Sequence, residues 1–168
     1  MTDYYNAFEI SPVPEPADDA VVPEIYRGIY GMPMFLTVPT ADLAASVDFW
    51  TRGLGFVDLF TVPGQVTHLR RWAFQDVLLM PGEPATGAPA ATVSFSCVLS
   101  QLDGIARDCA AALPGSTGDP APTPWNTVDL HVVTPERTHV VMTAARPWDP
   151  ESAEAELLRA VGIEHPSA

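Results

Sequence analysis

A pattern that occurs twice, about sixty residues apart, constrains the fold of this chain most. The first copy, residues 34–56, reads as an apolar strand, a cap at Thr40 or Asp42, an amphipathic helix, and a stop at the glycines of 52–55. The second copy, residues 92–116, keeps the same order and stops at a Leu-Pro-Gly sequence. Internal repetition of this kind predicts two similar supersecondary units in one small domain.

Each copy is followed by further strand signals. In the first unit, apolar stretches separated by turn residues predict three more strands before Pro81. In the second unit one strand is poorly marked within residues 116–125, and two clear strands follow. The chain therefore predicts an α+β fold of two βαβββ modules, residues 33–81 and 91–146, in a single domain of residues 31–146. We expect a C-terminal helix and tail at 147–168.

Residues 1–30 are rich in proline and acidic residues, a composition that disfavours both helix and sheet. We expect an extended arm that is ordered near Tyr26, Ile29 and Tyr30, where it docks on the domain or on a second subunit. The predicted sheets leave exposed edges, which proteins usually cover. Because closed twofold pairing commonly does so, we expect a homodimer.

Charge excludes several classes of partner. The net charge is −13, and all eight cationic residues are arginines, so the chain contains no lysine. Binding to a nucleic acid backbone or to an anionic membrane needs clustered cations, which are absent, and lysine-based catalysis is excluded. The N-terminus lacks the basic start and apolar centre of a signal peptide, so we expect a cytoplasmic protein.

The motifs of the two units resemble those of the vicinal oxygen chelate superfamily, which includes glyoxalase I, extradiol dioxygenases and bleomycin-resistance proteins. The residues that carry the resemblance are Val38-Pro39-Thr40-Ala41-Asp42-Leu43, Ser46, Phe49-Trp50, Leu54-Gly55-Phe56 and Val132-Val133-Thr134-Pro135-Glu136. The resemblance implies curled mixed sheets that form a concave cleft, and usually a homodimer.

In the enzymes of that superfamily, four inward positions hold a divalent metal through His, Gln or Glu. By alignment of the two units, these positions fall at Phe35, Leu79, Ser94 and Val141. Borderline divalent metals prefer imidazole, carboxylate or thiolate, and only the Ser94 hydroxyl offers even a weak donor. We therefore expect no metal and no cofactor, and the chain is closest in character to the metal-free antibiotic-binding members.

The strand around His131 offers the best candidate chemistry. The apolar alternates of 128–132 should face the helices, which directs Asp129 and His131 to the open side of the sheet. A carboxylate beside an imidazole suits either an acid–base pair or hydrogen bonds to a polar ligand. Whether a reaction is catalysed is therefore left open.

The primary hypothesis is a metal-free small-molecule binding protein that sequesters a hydrophobic, partly aromatic compound. The alternative is a metal-independent isomerase, cyclase or lyase that uses Asp129 and His131. The predicted ligand-binding residues supply apolar area, stacking indoles and orienting polar groups. They are Phe35, Thr37, Leu69, Arg71, Trp72, Leu79, Ser94, Ser96, Trp125, Asp129, His131 and Val141.

Overall fold

The computed structural model describes residues 12–28, 34–84, 86–87 and 92–160. It contains two four-stranded mixed sheets, which confirms the predicted α+β fold of two βαβββ modules. In the described part of the chain, no helix is long and apolar enough to cross a membrane.

The first module builds sheet 1, whose strands lie in the order β1-β4-β3-β2. Strands β1 and β4 are parallel, and the other pairs are antiparallel. Its elements are β1 (Phe35–Thr40), α1 (Leu43–Asp48) with a following π-helical turn (Phe49–Gly53), β2 (Val57–Val62), β3 (Val66–Arg70) and β4 (Asp76–Pro81).

The second module builds sheet 2 in the corresponding order β5-β8-β7-β6. The poorly marked strand of the sequence is only two residues long, because Pro120, Pro122 and Pro124 have no N–H to donate to the ladder. The elements are β5 (Val93–Cys97), a 3₁₀ turn (Leu99–Gln101), α2 (Leu102–Ala112), β6 (Ala121–Pro122), β7 (Thr127–Val133) and β8 (His139–Ala145). The C-terminal helix α3 spans Ala153–Ala160.

Local chemistry explains the first strand–helix unit. Asp42 caps α1 by accepting a hydrogen bond from the backbone N–H of Ala45 at 3.0 Å. After α1 the chain continues as the π-helical turn, in which the N–H of Leu54 donates to the carbonyl of Phe49 at 3.3 Å. Gly55 then leaves the helix at φ +73°, a backbone conformation that favours glycine. The predicted cap and stop are therefore confirmed.

One hydrophobic core joins the two modules. Trp50 is fully buried and packs edge-to-face on Phe56 and Phe95, with ring centroids 5.1 and 6.2 Å away. Its indole N–H donates to Glu136 across the module boundary at 3.2 Å. Because the core of each module continues into the other, neither module has a separate core.

Each sheet buries one face against the helices and leaves the other, here called its open face, on the opposite side. On sheet 2 the core face carries alternate residues such as Leu130 and Val132, both fully buried. The intervening residues of β7, Asp129 and His131, lie on the open face, as strand alternation predicted.

The described part of the N-terminal arm, residues 12–28, packs against the rest of the chain. The hydroxyl of Ser100 donates to the carbonyl of Ala20 at 3.3 Å. The guanidinium of Arg70 donates to the carbonyls of Tyr26 and Gly28 at 2.9 and 2.6 Å. Docking near Tyr26 therefore occurs on the domain itself, whereas the predicted anchors Ile29 and Tyr30 lie outside the described residues.

Candidate functional site

The open face of sheet 2 carries a row of hydroxyl and carboxylate groups. Cross-strand pairing places Ser96 beside Thr143, and Thr143 beside Asp129. One oxygen of the Asp129 carboxylate accepts hydrogen bonds from Thr127 and Thr143 at 2.9 and 2.7 Å. This arrangement holds the carboxylate in place on an otherwise uncharged row.

A cavity of about 230 Å³ lies between this row and the N-terminal arm. The arm forms one wall with small apolar residues, and the sheet and its flanking turns form the other. The cavity is lined by Val13, Pro14, Pro16, Ala17, Ala20, Trp72, Ser96, Cys97, Val98, Leu99, Thr127, Thr143 and Ala145. The mixture of apolar wall and a few hydroxyls is typical of small-molecule sites.

Cys97 lies on the cavity wall. Burial raises the pKa of its thiol to about 11, so the sulfur is protonated at neutral pH. Cys97 and Cys109 are both free and buried, as expected for small hydrophobic side chains.

The open face of sheet 1 is aromatic. His68 lies between Phe35 and Phe60, each in an edge-to-face arrangement with ring centroids 5.2 Å away. The two phenyl rings are exposed to 41% and 51%, so the histidine is covered while its neighbours remain accessible.

A buried polar cluster lies next to this aromatic row. One carboxylate oxygen of Asp76 contacts Nε2 of His68 at 2.6 Å and accepts from Nε of Arg70 at 2.8 Å. The other oxygen has no hydrogen-bond partner among the described residues. Burial raises the pKa of Asp76 to about 7, and burial together with Arg70 lowers the pKa of His68. The cluster connects sheet 1 to the arm through Arg70.

Seven of the predicted ligand-binding residues lie on the open faces. The pairing of β1 with β4 and of β5 with β8 shows which alternating residues of each strand lie on the open face. Sheet 1 contributes Phe35 and Thr37, and sheet 2 contributes Ser94, Ser96, Asp129, His131 and Val141.

The prediction that Leu69 and Leu79 face the cleft is wrong. Leu69 pairs with Val77 on the core face, and both leucines are fully buried. The sequence does not show which residues of β3 face the core, because polar and apolar residues occur at both sets of alternating positions. The open face of these strands instead carries His68 and Leu78.

The predicted role of Arg71 as a ligand clamp is also wrong, because the side chain is only 1% exposed. Its three nitrogens donate to the carbonyls of Ser96 and Leu54 and to the side chain of Gln101, at 3.1, 2.9 and 2.9 Å. Burial lowers the pKa of this guanidinium to about 10. Arg71 therefore connects the modules rather than facing a ligand.

The two tryptophans predicted at the cleft rim differ. Trp72 is 4% exposed yet lines the cavity under the arm. Trp125 is 56% exposed in the turn before β7 and is not among the cavity residues. Only Trp72 is therefore positioned to stack on a molecule in the cavity.

Asp129 and His131 do not form the predicted acid–base pair. The carboxylate is bonded to the two threonines, and Nδ1 of His131 instead contacts Nε2 of His139 at 3.3 Å. The same alternation that predicts the open-face position of Asp129 also applies to Thr127, which was not among the predicted ligand-binding residues.

The residues at the superfamily's metal positions do not fit a divalent metal. Phe35, Ser94 and Val141 lie on open faces, whereas Leu79 is fully buried on the core face. None of these four side chains carries an imidazole, carboxylate or thiolate. No chemistry is therefore assigned to a metal at these positions.

Similarity to solved structures is confined to the fold. A hypothetical protein from S. aureus superposes with a TM-score of 0.58 at 14% identity, covering 71% of this chain and 98% of that one. A glyoxalase-related enzyme from Fulvimarina pelagi gives 0.55 at 16% identity, covering 69% and 88%. The chain has the glyoxalase/bleomycin-resistance fold.

Another structure with this fold is the fosfomycin resistance protein FosX from Listeria monocytogenes, in complex with Mn(II) and 1S,2S-dihydroxypropylphosphonic acid. It superposes with a TM-score of 0.55 at 12% identity, covering 70% of this chain and 92% of that one. No protein-family model matches the sequence, and no curated protein matches it either.

Proposed function

We propose that this protein binds a hydrophobic, partly aromatic small molecule in the cavity between the arm and sheet 2, without a metal at the superfamily positions. The observation that carries the proposal is the cavity itself, in which an apolar wall faces the hydroxyls of Ser96, Thr127 and Thr143. Sequestration of such a compound would serve antibiotic resistance or the handling of a natural product.

The cavity limits the class of compound. Its volume of about 230 Å³ lies below the range of roughly 300–1,000 Å³ typical of drug-sized sites, so one or two rings fit beneath the arm as it stands. The indole of Trp72 offers an aromatic surface, and the Asp129 carboxylate lies next to Thr127 and Thr143. A net charge of −13 favours the approach of a cationic compound.

A fluorescence screen tests the proposal. The full-length protein is titrated with a panel of aromatic antibiotics and related compounds of one or two rings, and binding is followed by quenching of tryptophan emission. We expect at least one compound to bind below about 100 μM, a free energy of roughly −5.5 kcal/mol. A panel with no such binder contradicts the proposal.

A matched pair of variants then locates the site. Ser96→Phe fills the cavity, and we expect it to weaken binding by about tenfold or more, which corresponds to about 1.4 kcal/mol. Ser94→Phe makes the same change on the same strand and face, but Ser94 is not part of the cavity lining, so affinity should change little. Equal losses from both variants would show that the compound binds elsewhere on the face.

We also propose a homodimer that covers the exposed apolar side chains of sheet 1. Phe35, Phe60, Val62 and Met80 are each at least 37% exposed and lie on its open face. A contiguous exposed apolar surface is typical of an interface. Light scattering should give twice the chain mass of 18.0 kDa at micromolar concentration. Phe60→Ser should shift the protein towards monomer. Trp125→Ser is the control, because Trp125 is a similarly exposed aromatic residue outside the sheet, and it should not change the mass. A monomeric wild type contradicts the proposal.

A further inference from the structure

Beyond the cavity, the open face of sheet 2 ends in two facing imidazoles. His131 lies in the middle of β7, and His139 is the first residue of β8. The pairing of Val133 with His139 and of His131 with Val141 places the two histidines diagonally on one face. Their ring centroids are 5.3 Å apart with a tilt of 41°.

We propose that His131 and His139 form a two-histidine site for a borderline divalent cation such as Zn²⁺, Ni²⁺ or Cu²⁺. The nitrogens that face each other, Nδ1 of His131 and Nε2 of His139, are 3.3 Å apart. Two Zn–N bonds of about 2.0–2.1 Å at a tetrahedral angle place their nitrogens about 3.3–3.4 Å apart. The separation of the two nitrogens fits a hydrogen bond between the rings and, when neither nitrogen carries a proton, a shared ion.

The surroundings favour the tautomer that a metal needs. The hydroxyl of Thr92 lies 3.4 Å from Nδ1 of His139, on the side of the ring away from His131. A proton on Nδ1 that is donated to this hydroxyl leaves Nε2 with a free lone pair directed at His131. Histidine ligands are commonly oriented in this way by an oxygen that accepts their other N–H.

This site differs from the superfamily's metal positions. It uses β7 and the start of β8, whereas the superfamily positions fall at Phe35, Ser94, Val141 and on β4. Among the described residues no group of three or more metal-binding side chains occurs, so the remaining coordination positions are left to water or to a donor atom of a small molecule. Because only two protein ligands are present, we expect weak binding, and the net charge of −13 favours the approach of a cation.

Calorimetric titration of the full-length protein with ZnCl₂ and NiCl₂, in a buffer that does not chelate, tests the inference. One ion per chain should bind at micromolar concentration. His131→Ala and His139→Ala should each abolish this binding, and Thr92→Val should weaken it by about tenfold. His165→Ala is the matched control, since it also leaves three histidines, and it should bind like the wild type.

Ring-nitrogen NMR gives a readout that depends on the geometry. Zinc should shift Nδ1 of His131 and Nε2 of His139, the two atoms that face each other. Absence of binding by the wild type, unchanged binding by the His131→Ala, His139→Ala double variant, or zinc shifts on the opposite nitrogens would each overturn the inference. The test uses the metal alone, so its result is independent of whether the cavity binds a compound.

Discussion

Trp50→Ala should lower the free energy of unfolding by about 3–5 kcal/mol, as expected when a fully buried aromatic side chain is removed. The indole packs on Phe56 of its own module and Phe95 of the other, so its loss opens a cavity where the modules meet. The variant also removes the one hydrogen bond that the buried Glu136 carboxylate accepts from the described residues. Chemical denaturation followed by circular dichroism measures the effect.

Trp125→Ala is the control for this prediction. Trp125 is 56% exposed, and the same truncation there should change stability by no more than about 0.5 kcal/mol. If the two variants lose equal stability, Trp50 does not connect the modules in the way described.

Asp76→Ala should lower the free energy of unfolding by about 3–5 kcal/mol at pH 8, where both partners of the buried pair are charged. Its carboxylate lies 2.8 Å from Nε of Arg70, and the Arg70 side chain is 2% exposed. Without the carboxylate, the buried guanidinium keeps its charge but loses its ion pair with Asp76. Denaturant titration measures the loss.

The same variant should loosen the arm, because Arg70 also donates to the carbonyls of Tyr26 and Gly28. Limited proteolysis within residues 12–28 should therefore be faster in Asp76→Ala than in the wild type. Asp48→Ala is the matched control, since Asp48 pairs with Arg52 on the exposed surface and such pairs add little stability. Unchanged stability and unchanged cleavage in Asp76→Ala would contradict the assigned role of the cluster.

Features that depend on neighbours in the chain were predictable. The Asp42 cap, the stop at Gly55 and the open-face position of His131 follow from hydrogen bonds and steric limits within a few residues. The repeat predicted two modules, because each copy carries its own complete strand–helix pattern. The chain by itself therefore determined the fold class and one side of the candidate site.

Other features depend on residues that are distant in the sequence. Arg71 is bound by Ser96 and Gln101, which lie 25 and 30 positions away, and Arg70 by Tyr26, which lies 44 away. A charged side chain in a strand is equally compatible with a ligand site and with a buried connection between modules, so its role was decided only by packing. Packing also determined which residues of β3 face the core, and it formed the cavity beneath the arm. Both arise from the contact of segments whose local patterns carry no information about each other.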